Sequence, residues 1–93
     1  MGSKIKDTCV YDVISNNIKR YRIDANMTQE ELARKANYTH QFIRRIEAPR
    51  SKKTFSLETI FILSKALNKK FSDMFEGVDT EDRTKSLDDE KKI

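Results

Sequence analysis

Breakers are scarce in this chain, with two glycines and one proline in 93 residues. Sandwiches and barrels of short strands need many turn residues, so those folds are excluded. Cysteine occurs once, at Cys9, which excludes an internal disulfide framework and fits a reducing cytoplasm. Histidine also occurs once, at His40, and one cysteine with one histidine cannot build a four-ligand zinc cluster. A Cys9–His40 catalytic pair would lack a third orienting group. No glycine loop that could cradle a phosphate is present, and no carboxylates are paired for acid–base work. The expectation is therefore no enzyme, no cofactor and no metal. No apolar run approaches the roughly 18 residues of a membrane span. The start, "MGSKIKDTCVYDV", has no apolar signal core, so nothing marks it for secretion.

What is present is charge, in an uneven distribution. Apolar and charged residues each make up 37%, which predicts a soluble, helix-rich domain with a core of modest size. The net charge is +4. Between Arg34 and Lys53 stand seven basic residues and one acid, Glu47, a local excess of +6. Residues 77–93 carry four basic and six acidic residues, a deficit of −2. The whole positive excess is thus concentrated in one stretch, the footprint of a face that meets a polyanion.

Periodicity predicts an all-α, compact five-helix domain. Ile14, Ile18, Tyr21 and Ala25 recur at helical spacing and define a first amphipathic helix over about 11–25. Asn26 is a left-handed stop. Thr28 with Glu31 three residues on is a capping box, and it opens a second helix with Leu32, Ala33 and Ala36 inward. Asn37 stops that helix, and Tyr38 points inward across the turn. Thr39 caps a third helix with Ile43 and Ile46 inward, which Pro49 ends. Ser56 caps a fourth helix with Ile60, Leu63 and Leu67 on its core stripe. Ser72 is expected to cap a last short one carrying Met74 and Phe75. The division reads as an N-terminal extension at 1–10, a folded domain at 11–76 and a charged tail at 77–93.

Two short helices joined by a tight turn, at about 28–47, form a helix-turn-helix unit. In that unit the second helix enters the major groove of double-stranded DNA and offers its N-terminal half to base edges. Here that half holds His40, Gln41 and Phe42, with Arg44 and Arg45 one turn later. Gln41 suits adenine, Arg44 or Arg45 suits guanine, Phe42 suits a thymine methyl, and His40 can donate to a base or a phosphate. Phe42 has an alternative, packing beside Phe55. Gln29, at a helix N-terminus, suits a phosphate, as do Arg50, Lys52 and Lys53 in the basic loop.

The blocks "MTQEELARKANYTHQFIRRIE" and "SLETIFILSKALNKKFSDMF" resemble the XRE family, the Cro and phage-repressor-like helix-turn-helix domains, over about residues 14–76. The resemblance implies a DNA-binding regulator, usually a dimer on a two-fold symmetric operator. It implies backbone contacts by Gln29 and Thr39, base contacts by His40, Gln41, Phe42 and Arg45, and a structural ion pair between Arg22 and Glu47. Within the family, the small size is most like restriction–modification controllers or short phage and plasmid repressors. Ala48-Pro49 stands where a glycine commonly closes the third helix. The following loop is longer and more basic than the commonest form.

Phe61, Ile62, Phe71, Met74 and Phe75 are the candidates for a dimer interface, because Ile62 falls opposite the core stripe of its helix. The aromatic residues, Phe71 first among them, can alternatively complete the core. The expected function is a cytoplasmic, sequence-specific transcription regulator, a repressor or autoregulator, acting as a homodimer on palindromic DNA. The alternative is an antitoxin or interaction module whose tail binds a protein partner.

Overall fold

A computed structural model of the chain describes residues 10–49 and 53–78. Nearly all of the N-terminal extension with Cys9, the tail beyond Val78, and the phosphate candidates Arg50 and Lys52 lie outside the described residues. Helix α1 spans Val10–Asp24, α2 Gln29–Ala36, α3 His40–Glu47 and α4 Leu57–Ala66, and a 3-10 turn at Phe71–Phe75 closes the chain. The expected fifth helix is therefore a single 3-10 turn, and α-helices number four among the described residues. The residue ahead of that turn is Lys70, whose backbone N–H donates to the Asp73 carboxylate at 3.0 Å. Ser72 does not cap it.

Local chemistry explains the helix ends. Thr28 and Glu31 form the reciprocal capping box, with both bonds within 2.8–3.0 Å. Thr39 Oγ1 accepts from the Phe42 amide, and Ser56 Oγ from the Thr59 amide. Asn26, Asn37 and Asn68 adopt φ of 57°, 63° and 60°, a left-handed conformation whose cost asparagine lowers by local hydrogen bonding. No helix among the described residues is long and apolar enough to cross a membrane.

The core gathers Ile14, Ile18 and Tyr21 of α1, Leu32, Ala33 and Ala36 of α2, Ile43 and Ile46 of α3, and Ile60 and Leu63 of α4. Phe55 ahead of α4, and Leu67 and Met74 beyond it, complete the core. Ala25 lies outside α1 and is exposed, because the helix stops one residue earlier. Helices α2 and α3 pack on each other, α2 lies on α4, and the closing turn bridges α1 and α4.

Polar groups lock that turn down. Buried Asn17 donates from Nδ2 to the carbonyls of Met74 and Glu76 at 2.9 and 2.8 Å. The Tyr21 hydroxyl lies 2.7 Å from Glu76 Oε1 and 3.0 Å from the Asp73 carbonyl. One O–H cannot serve both fully, and the ionised carboxylate is the stronger acceptor. Arg20 adds a bond to the same Glu76 oxygen at 2.8 Å.

These contacts make stability depend on pH at both ends. Hydrogen bonds from Tyr21 and then Arg20 hold the Glu76 carboxyl below the usual carboxylate range. Burial, and then the bond to Glu76, push the Tyr21 phenol up. The carboxylate's contribution is complete above its unfolded value of about 4.3 and fades as pH falls through the folded one. The phenol's contribution is complete below its unfolded value of about 10 and fades as pH rises through the folded one. Tyr21→Phe is expected to reduce the acid loss and remove the alkaline loss, read as urea midpoints across that range.

Candidate nucleic-acid interface

The outward side of α3 is set by what its inward side does. Ile43 and Ile46 are buried, and Glu47 ends the helix with its side chain only 2% exposed. A carboxylate that deep needs partners, and Arg22 of α1 supplies a two-pronged one. Arg22 Nε donates to Glu47 Oε2 at 2.8 Å and Nη2 to Oε1 at 2.9 Å. Nη1 of Arg22 donates to the Met27 carbonyl at 2.8 Å, tying the turn before α2 into the same pair. The pair that resemblance implied is thus present, and it fixes the far end of α3 to α1.

With those residues turned inward, Gln41, Arg44 and Arg45 are exposed. None of the three side chains makes a hydrogen bond or ion pair among the described residues. A carboxamide and two guanidiniums stand on one short helix beside a net positive loop. That combination can donate and accept in the bidentate patterns that distinguish adenine and guanine edges.

Other residues expected at the DNA have partners within the fold. Phe42 is half-buried, with its ring 4.7 Å from that of Tyr38, so it is spent on packing in place of a base methyl. The Phe55 ring meets Tyr11 edge-on at 5.0 Å. Lys53 is not free for a phosphate, because its side chain is 4% exposed. Its ammonium donates to the Ala48 carbonyl and sits 3.9 Å from Asp12. Gln29 is half-buried and donates from Nε2 to Glu47 Oε1 at 3.0 Å. His40 places Nε2 3.4 Å from Gln29 Oε1. Thr39 spends an acceptor site on the helix cap and keeps its own O–H.

The dimer candidates divide as well. Met74 is 0% exposed and belongs to the chain's own core, so it is withdrawn from any interface. Ile62 and Phe75 are half-buried and pack against that core, so Ile62 is not the orphan its helical position suggested. Phe61 and Phe71 stay 45% and 37% exposed, so Phe71 does not complete the core. Leu57, one turn before Phe61, is also exposed and was not anticipated.

A family model described as helix-turn-helix matches residues 18–74, a span that runs from the middle of α1 to Met74. No curated protein sequence matches the chain. Among solved structures, the fold is similar to that of the hypothetical transcription factor NHTF from Neisseria, with a TM-score of 0.66 and 22% identity. That likeness covers 72% of this chain and 75% of the other. The chain belongs to the XRE-type helix-turn-helix family of DNA-binding transcriptional regulators.

Proposed function

We propose that the protein is a repressor or autoregulator that binds a palindromic operator as a homodimer, with α3 in the major groove. The supporting observation is the exposed Gln41, Arg44 and Arg45 set on a helix whose other side is buried and whose end is held by Arg22. Phosphate contacts then come from the N-terminal amides of α2 and from the basic loop. They set position and affinity without reading sequence. No group is assigned a catalytic role.

Dimerisation is supported by an aromatic ladder along α4 and the closing turn. Phe61 meets Phe71 edge-on at 5.9 Å, and Phe71 meets Phe75 at 5.2 Å. A row of this kind, exposed at Phe61 and Phe71, suits a second copy related by a two-fold axis. Such a dimer would present two α3 helices to half-sites about 10 base pairs apart or a multiple of that.

Arg45→Ala tests the base-reading half of the proposal. It is expected to cost about 1–3 kcal/mol on the preferred site and to relax preference at one position per half-site. Titration of matched and mismatched duplexes reads this directly. Equal losses on both would reassign Arg45 to the phosphates.

A further inference from the structure

The His40 ring sits between two acceptors of α2. Its Nε2 is 3.4 Å from Gln29 Oε1, and its Nδ1 is 3.9 Å from Glu30 Oε2. In a neutral imidazole, the nitrogen that carries the proton is decided by the partner each nitrogen finds. Here the decision is made one residue further in. Both Glu47 oxygens accept from Arg22, and the Gln29 carboxamide turns its Nε2 toward Oε1 to donate a third bond. That turn points Gln29 Oε1 at His40, and an acceptor there calls for a proton on His40 Nε2.

His40 Nδ1 is then a lone pair in the neutral ring and a donor in the charged one. Among the described residues it makes no hydrogen bond, since 3.9 Å to Glu30 is too long for one. The charged and titratable groups that share its cleft are Glu30, Arg34 and Tyr38, with Arg44 one turn along α3. His40 is exposed, at the first position of α3.

We propose that His40 is a specificity-determining residue whose base preference changes with its protonation. Neutral, its Nδ1 accepts from cytosine N4 or adenine N6; charged, it donates to guanine N7 or O6, thymine O4 or adenine N7, so adenine suits both forms while cytosine suits only the neutral one. Arg22, Glu47 and Gln29 are the positioning residues that make Nδ1, and not Nε2, the atom that switches. This inference rests on the major-groove reading above.

His40 is the only histidine, so nitrogen-15 NMR of the full chain assigns its ring without ambiguity. The expected neutral form carries its proton on Nε2, and Gln29→Leu should erase that preference. Randomised duplexes are then selected at about pH 5.5 and about pH 8, either side of the range where histidine changes charge. One position per half-site should move from cytosine toward guanine or thymine at the lower pH, by about two- to tenfold, the worth of one hydrogen bond. His40→Gln should hold that position constant. A proton on Nδ1, an unchanged motif, or a shift that persists in His40→Gln overturns the inference and leaves the major-groove reading standing. Loss of sequence-selective binding at both pH values overturns the two together.

Discussion

Arg22→Ala is expected to destabilise the fold by about 3–5 kcal/mol, because it strands the Glu47 carboxylate in the interior. The Arg22 guanidinium supplies Glu47 with two of its three hydrogen bonds and also closes the Met27 carbonyl. A small domain holds only about 5–15 kcal/mol in total, so this loss takes a large share of it. The urea midpoint should fall with little change in slope. A loss below about 1 kcal/mol, the scale of an exposed pair, would mean that the pair is not buried as described. Replacing both partners by leucine should recover much of the stability, since a buried pair is often no better than apolar packing. DNA recognition should not recover, because Gln29 would lose the acceptor that orients it.

Met74→Ala is expected to cost about 2–5 kcal/mol, the range for a large-to-small change in a filled core. Met74 is enclosed, and Asn17 holds its carbonyl at 2.9 Å, which limits how far the turn can collapse into the cavity. The same substitution also separates two assignments of the residue. A core methionine lowers stability by the same amount at every protein concentration. An interface methionine would weaken association and make the loss concentration-dependent. The expected result is the first, measured as the urea midpoint at several concentrations.

What could be read directly from the sequence was local. Thr28, Thr39 and Ser56 each act on an amide three residues ahead, and Asn26 and Asn37 act through their own φ, so spacing alone found them. Asn68 carries the same signal after α4. The core stripes of α2, α3 and α4 followed from helical periodicity. The closing turn did not, because five residues are too few for a period to define a face. Which apolar side chain turns inward there is decided by Asn17 and Tyr21, more than fifty residues away in sequence.

The site shows the same division. The outward set Gln41, Arg44 and Arg45 was legible because Ile43 and Ile46 fix the phase of α3. The fates of Gln29, Phe42 and Lys53 were not, since each has a partner whose nearness only the fold creates. Lys53 looked like one more loop cation until the chain brought it under the end of α3 and beside Asp12. Phe42 looked outward because it lies off the Ile43–Ile46 stripe, and the Tyr38 ring that meets it belongs to the turn before α3.

The most direct test of the central claim is selection of a randomised duplex pool by the purified chain near physiological salt, followed by sequencing. The expected result is a two-fold symmetric motif whose half-sites are about 10 base pairs apart or a multiple of that. Retention that shows no enriched sequence and falls steeply with salt would contradict it, because a phosphate-only surface binds in that way.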